Sequence, residues 1–365
     1  MKLCRVCNSS KGNAFEEGEC FVCRGGLASL DELAKRAAEK LPDVPTFSIS
    51  TKIPNEWLAR EDIVWNLKLS KTTCIKTFIN LYLSRYIAKV SNKKPKTDGD
   101  VLLMIDVATG EIRTSYNDLF IFGRYKKLKA GISQTRWTCS NCHGKGCEEC
   151  SNTGKFYHSV EEEIGEKLKE ECRAQDYILH ASGREDIDVV NIGGRPFVIQ
   201  MIEAHVRNPD LKAVTKRINA KGNVEVEGLM LVDRGAVELV TASHFDKSYV
   251  ATVEFEREIS DAELSKLLQL SGKVIEQRTP ERVKHRRANI TRKRRIIEVK
   301  LITRSRRNAT FEITTEAGTY IKELITGDDG RTKPSFSSIL EMNVTCKELK
   351  VISIHDEFLN MCLRK

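Results

Sequence analysis

The chain has 365 residues, 40% of them hydrophobic and 30% charged, and a net charge of +9. That length accommodates two or three domains with real cores, and the apolar content excludes a disordered chain. No apolar run approaches the roughly 18 residues of a membrane span, and no apolar h-region follows Met1, so the expectation is a soluble, intracellular, cytoplasmic protein.

In chain order, the first feature is Cys4, Cys7, Cys20 and Cys23, a CxxC-x12-CxxC pattern. Two such knuckles supply four thiolates to one tetrahedral Zn²⁺, and a closed four-sulfur site leaves no open position for substrate. The metal is expected to be structural, because residues 1–26 hold too little apolar material for a core of their own. Ser29-Leu-Asp-Glu32 reads as a capping box ahead of a helix with Leu30, Leu33, Ala37 and Leu41 at helical spacing. A short strand is predicted at Thr46–Ser50. A helix is predicted from Thr72 to Val90, with Ile75, Phe78, Ile79, Tyr82, Tyr86 and Ile87 as a core-facing stripe. Strands at 101–107 and 119–122 flank an Ala108-Thr-Gly110 turn. These pieces form a small α/β module.

A second cluster follows, Cys139-Ser-Asn-Cys142-His-Gly-Lys-Gly-Cys147-Glu-Glu-Cys150. Its glycines permit the tight turns of metal knuckles. The four sulfurs suit one Zn²⁺ or two half-sites, so one or two structural zinc ions are expected. His143 is a bystander beside four cysteines. The cluster is similar to part of the cysteine-rich region of DnaJ-type co-chaperones, but the repeats are incomplete and no J-domain His-Pro-Asp is present.

From Ser159 onward a charged helix (161–172) precedes strand and helix signals at 197–206, 211–220, 224–232, 249–255, 260–270, 296–302 and 311–315. Many strands with few helices predict an α+β domain on a mixed or antiparallel sheet. The expected divisions are a zinc-binding segment 1–26, an α/β domain 27–135, a cysteine-cluster hinge 136–157 and a catalytic domain 158–365. Nine Lys/Arg and one acid, Glu281, lie between Arg278 and Arg295. The excess charge is therefore local and points to a polyanion. Thr279-Pro280 and Asn289-Ile-Thr291 interrupt the run, so a mobile basic loop is expected there. No P-loop, Rossmann fingerprint or Ser/His/Asp nucleophile signature occurs. Any catalysis must rest on side chains and the substrate's own reactivity, with no organic cofactor.

Four segments then fall into order: Gly183-Arg-Glu-Asp186 with Gly193-Gly-Arg-Pro-Phe197; Lys247-Ser-Tyr249; Gln277-Arg-Thr-Pro-Glu-Arg-Val-Lys-His-Arg-Arg287; and Gly318-Thr-Tyr-Ile-Lys-Glu-Leu324 running into Gly327-Asp-Asp-Gly-Arg-Thr-Lys-Pro334. Together they closely resemble the RNA pseudouridine synthase superfamily. Within it they are similar to the archaeal and eukaryotic synthase of tRNA T-loop uridines 54 and 55. The resemblance extends to Gly123-Arg-Tyr-Lys and Gln134-Thr-Arg-Trp137, and the N-terminal module resembles a THUMP-type RNA-binding domain.

The resemblance implies a cofactor-free isomerisation with Asp186 as nucleophile. Asp188, two residues on, is the local competitor, because it lies on the same side of an extended stretch. Lys322 is implied as the base pairing with the aspartate, Arg184 as an RNA contact, Tyr249 and Tyr320 as pocket walls around a flipped base, and Leu340 as an apolar wall. Arg282, Lys284, Arg286, Arg287, Arg292 and Arg294 are expected to grip tRNA. The implied partner is tRNA, through its T-loop and acceptor stem, bound by a monomer with no membrane association. The alternative reading is a non-catalytic zinc-containing RNA-binding protein.

Overall fold

The structure is a computed structural model that describes residues 1–67 and 72–358, except the side chains of His285 and Arg286. The chain packs as two compact units. The first comprises Met1–Leu119 with the returning segments Cys172–Gln175 and Ile202–Asn208; the second holds the remainder.

In the first unit a four-stranded sheet runs in the order Lys94–Pro95, Thr46–Lys52, Val101–Asp106, Ile112–Tyr116. Thr46–Lys52 and Val101–Asp106 pair in parallel, whereas Val101–Asp106 and Ile112–Tyr116 form a hairpin. The hairpin turns where Asp106 Oδ1 accepts from the amides of Ala108 and Thr109, at 3.0 and 3.1 Å. The long helix is Ile75–Ser91, and its buried stripe is Ile75, Ile79, Leu83 and Ile87. The tyrosines Tyr82 and Tyr86 flank this stripe and do not form its centre. Helix Leu30–Glu39 starts at Ser29 as expected, but the Ser29 side chain makes no capping hydrogen bond. The N-terminal cysteines are part of this unit's core: Cys7, Cys20 and Cys23 are buried with Leu3, Val22 and Trp57.

The second unit is built on a ten-stranded mixed sheet. Its path runs Val224–Val232, Leu119–Lys127, Val190–Ile202, Val344–Ile354, Lys247–Phe255, Asn308–Thr315, Thr291–Arg304, Val274–Arg278, Thr332–Lys333, with Asp176–Ala181 beside Val190–Ile202. The pairing of Val190 and Asn191 with Lys350 and Val351 is parallel, and the rungs from Val344–Ile354 to Thr332–Lys333 are antiparallel. Strict two-residue alternation sets the core: Tyr249, Ala251, Val253 and Phe255 on one strand face Phe311 and Ile313 on the next. Helices Asp261–Leu268, Ile321–Thr326 and Phe336–Leu340 contribute Leu264, Leu267, Ile321, Leu324, Ile325 and Phe336 to the same cluster. Phe311 and Phe336 meet edge to face, with centroids 5.2 Å apart.

Two expectations change here. The units part at Leu119/Phe120 and not within 135–158, because the strand Leu119–Lys127 is hydrogen-bonded to Val224–Val232 in the larger sheet. The basic run is not a free loop either. Arg278 pairs with Thr291, Gln277 with Arg292, Glu276 with Lys293 and Ile275 with Arg294, forming an antiparallel hairpin whose end is a 3₁₀ turn at Glu281–Arg286. Buried Ile275 and Gln277 anchor the inner face of this hairpin, where their cross-strand partners Arg294 and Arg292 are half-buried, and Arg278, Lys293 and Arg295 stand exposed on the other face.

Candidate active site

The chain between Asp176–Ala181 and Val190–Ile202 carries Arg184, Asp186 and Asp188. Gly183, its second residue, sits at φ +76°, a backbone conformation that an L side chain resists, and a Cβ there would stand 3.1 Å from Arg195 Nη1. Below it Glu185 and Arg195 form a fully buried ion pair at 2.6 Å. Tyr125 donates to Glu185 at 2.7 Å, Gln134 donates to Tyr125 Oη and to the Gly183 carbonyl, and Arg195 donates to the Ser182 carbonyl at 2.7 Å. Lys127 donates to the carbonyls of Ile132, Asp186 and Ile187 at 2.9–3.0 Å. Burial presses the Lys127 pKa down against the pull of Glu185, Asp188 and Asp186. This network binds the backbone on both sides of Asp186, so the carboxylate is presented by a rigid base.

Asp186 is one-third exposed. Its nearest cation is Arg282, with Nη1 2.8 Å from Oδ2, and Arg282 is held from behind by buried Glu323 at 2.7 Å. Lys322 is the partner that the motifs imply, but its Nζ stands 3.9 Å from Asp186 and grips Asp188 at 2.6 Å. Burial alone would raise the Asp188 carboxyl, but the Lys322 ammonium outweighs it and holds the group below its usual range. Reach explains the exchange. The turn Glu281–Arg286 brings a long guanidinium over the cavity, whereas Lys322 rises from the first turn of the helix Ile321–Thr326 beside Asp188. The side chain of Arg184 is exposed and makes no ion pair among the described residues.

Asp186 opens onto a cavity of about 390 Å³, a volume suited to a small ligand. Tyr249 and Tyr320 both line it. Tyr249 is buried, and burial pushes its hydroxyl up to about 12, so it stays protonated at neutral pH. Tyr320 is positioned through its peptide group: Gln277 accepts from the Tyr320 amide and donates to its carbonyl, both at 2.9 Å. Lys247 also faces the cavity; burial, reinforced by the charge of Arg195, lowers it to about 8. Leu340 does not reach the cavity. It ends the helix Phe336–Leu340 inside the main core, and Val189, Leu349 and Val351 provide the apolar wall instead. Sequence reading misses these residues, because a strand's alternation does not say which buried positions border a void.

Of the cations assigned to RNA, Arg287 reaches Tyr320 Oη at 3.5 Å, Arg292 lies 3.4 Å from Thr279 Oγ1, Lys284 pairs with Glu281 at 3.2 Å, and Arg294 donates to the Lys293 carbonyl. The side chain of Arg286 lies outside the described residues.

Two four-cysteine groups fit a metal. Cys4, Cys7, Cys20 and Cys23 form one, and Cys139, Cys142, Cys147 and Cys150 the other, each with all four sulfurs within 4.8 Å. In the second, Sγ–Sγ separations of 3.7–3.8 Å match the edge of a tetrahedron with ~2.3 Å metal–sulfur bonds. Amides of Gly146 and Gly154 point at Cys142 and Cys150 at 3.2 Å. The four sulfurs thus make a single closed site, not two half-sites, and His143 takes no part.

Known proteins resemble this chain over most of its length. The family model described as Pus10, C-terminal, matches residues 120–355. The tRNA pseudouridine synthase Pus10 of Methanocaldococcus jannaschii is 41% identical over 350 residues, covering 93% of this chain and 76% of that protein. Its counterpart in Methanothrix thermoacetophila is 36% identical over 361 residues, covering 96% and 80%. That of Archaeoglobus fulgidus is 36% identical over 358 residues, covering 97% and 100%. With a family model over most of its length and relatives of this extent, the chain belongs to the Pus10 family of tRNA pseudouridine synthases and is an isomerase.

Proposed function

We propose that this enzyme converts uridine 54, uridine 55 or both in the tRNA T-loop to pseudouridine, with Asp186 as nucleophile and no organic cofactor. The observation that carries the reading is the carboxylate of Asp186 in the 390 Å³ cavity that Tyr249 and Tyr320 also line, paired with Arg282. The reaction breaks C1′–N1 and joins C1′ to C5; the proton leaves C5 and N1 gains one. Nothing is oxidised or added, so a positioned carboxylate and a shaped pocket are sufficient. Asp186 attacks either the sugar or the base; both routes need the base flipped from its stack. The tyrosine rings offset part of that cost, since stacking is worth roughly 1–3 kcal/mol per base. Arg282 gives the carboxylate a fixed direction, and Arg184, with no carboxylate partner among the described residues, is available to a phosphate.

The rest of the reading extends the family resemblance and the chemistry of the cysteine groups. Both four-cysteine groups hold structural Zn²⁺, the metal that closed thiolate tetrahedra favour. The first unit acts as the THUMP-like module toward the acceptor stem. The protein works as a cytoplasmic monomer; among the described residues no helix is long and apolar enough to cross a membrane.

The direct experiment is to incubate the protein with an unmodified tRNA transcript and map pseudouridine. Pseudouridine at T-loop positions 54 or 55 is expected; binding without any isomerisation would establish the non-catalytic alternative. A second expectation concerns the basic hairpin. Neutralising Arg286, Arg287, Arg292 and Arg294 together should weaken tRNA binding and lower the slope of log K against log salt by up to about 4, near one unit for each phosphate no longer neutralised. An unchanged slope would remove the hairpin from the interface.

A further inference from the structure

Trp137 and the second cysteine group play no part in the chemistry above, yet they are firmly anchored, because Trp137 follows closely on the Gln134 that braces the Asp186 backbone. Gln134 is buried and tied to Tyr125 and Gly183. Arg136 pairs with Asp176 at 2.9 Å and lies 4.5 Å over the Tyr177 ring. Trp137 comes next, opening a two-stranded ribbon in which it faces Tyr157. The loop between the two strands carries Cys139, Cys142, Cys147 and Cys150, and the Cys139 amide donates to the Gly154 carbonyl across the ribbon. A metal in that group would lock the ribbon from its closed end.

For all this anchoring, the Trp137 ring is not in the core. It is 38% exposed, and Tyr157, whose ring centroid is 5.5 Å away, is 40% exposed. Trp137 also walls a side pocket of about 250 Å³ that it shares with Arg184, Asp186, Asp188, Arg282 and Lys322. An exposed indole held rigidly beside the Asp186 carboxylate, the Arg184 guanidinium and further cations is the combination that binds single-stranded nucleic acid: a π-face for a base and positive charge for its phosphate.

We propose that Trp137 is a stacking platform for a nucleotide adjacent to the flipped uridine, with Arg184 on the neighbouring phosphate, and that the second four-cysteine group is the clamp that holds the ring in place. The inference rests on the tRNA isomerase reading. It adds a binding subsite in which a base unstacked by the flip finds a new partner, so the flipped state is favoured. Trp137 is a positioning residue; it does not touch the reacting bond.

The test compares Trp137→Phe, Trp137→Leu and Trp137→Ala on unmodified tRNA. Phe keeps a ring and should stay within about twofold of wild type in kcat/KM, whereas Leu and Ala should lose at least about fivefold, the low end of one lost base stack. Leu guards against collapse, since it preserves apolar bulk, and all variants should retain the wild-type metal content. Binding is read separately in the Asp186→Asn background, where turnover does not intervene. Addition of tRNA should quench an emission component that is present with Trp137 and absent with Phe at that position. Replacing T-loop nucleotides one at a time by abasic sites should abolish the quench at a single position. If Trp137→Leu turns over normally while pseudouridine still forms, or if tRNA leaves the Trp137 emission unchanged, the platform is overturned and the isomerase reading stands. If the quench appears but wild-type protein makes no pseudouridine, the isomerase reading fails instead.

Discussion

Asp186→Asn should reduce pseudouridine formation by at least about 10³-fold, to the floor of the assay, and leave tRNA affinity essentially intact. The amide has nearly the same shape but is no nucleophile, and loss of a group that forms the reaction's covalent bond costs several orders of magnitude in other nucleophilic enzymes. Binding should hold, because removing a negative charge beside an anionic substrate does not weaken the contact. Asp188→Asn is the control. Asp188 carries the shorter bond to Lys322, at 2.6 Å against 3.9 Å for Asp186. If proximity to Lys322 selected the nucleophile, Asp188 would be the essential residue. The expected outcome is the reverse: Asp188→Asn keeps measurable turnover and Asp186→Asn does not. Site-resolved pseudouridine mapping under single-turnover conditions decides between them, and normal turnover by Asp186→Asn would reassign the role.

The second large effect is expected beneath the site. Arg195→Ala should destabilise the protein by about 3–5 kcal/mol, the usual result of removing one partner of a buried ion pair and leaving the other charge without compensation. Glu185 and Arg195 are each 1% exposed at the side chain, so water cannot rescue Glu185. The loss is large against a typical total stability of about 5–15 kcal/mol. The damage would also reach function, because Arg195 ties down the Ser182 carbonyl and Glu185 lies between Arg184 and Asp186 in the chain. A second substitution, Glu185→Gln on top of Arg195→Met, removes both charges while keeping bulk and should recover much of the stability. Denaturant unfolding of the two variants provides the comparison; equal stability of Arg195→Ala and wild type would show that the pair contributes nothing.

Different parts of this site are legible in the sequence to different degrees, for physical reasons. Asp186 and Arg184 sit on a local Arg-x-Asp motif, Tyr249 and Tyr320 are legible only through the resemblance to a known family, and the fold brings all four to one cavity. The four-sulfur groups are equally readable, since each is assembled from pairs of cysteines close in the chain. The partner of Asp186 is not readable. Arg282 lies almost a hundred residues away on a segment that reads as a mobile basic loop, and only the hairpin pairing of Gln277 with Arg292 brings its turn over the carboxylate. The basic character masks a pairing strand, because Ile275 and Gln277 hold the hairpin to the core while the long side chains paired opposite them, Arg294 and Arg292, keep their charges near the surface.

Leu340 illustrates the opposite error. The family resemblance implies it as pocket wall, and the structure uses it as core, since a hydrophobic residue satisfies either role and only packing distinguishes them. The division into units is displaced for a similar reason: composition marks a cysteine-rich stretch as a hinge, but the hydrogen bonds of Leu119–Lys127 to Val224–Val232 assign the chain before it to the larger sheet.

Local causes make some features plain from the residues: the strands' alternation, the thiolate sets, the excess positive charge of residues 278–295 and the Arg-x-Asp motif that carries Asp186. The tertiary structure alone decided which cation faces Asp186, which apolar residues line the cavity, and that Trp137 stands exposed beside it. Those outcomes depend on contacts between residues far apart in the chain, and the free energy of such a contact is set by register and packing, which no local pattern of residues contains.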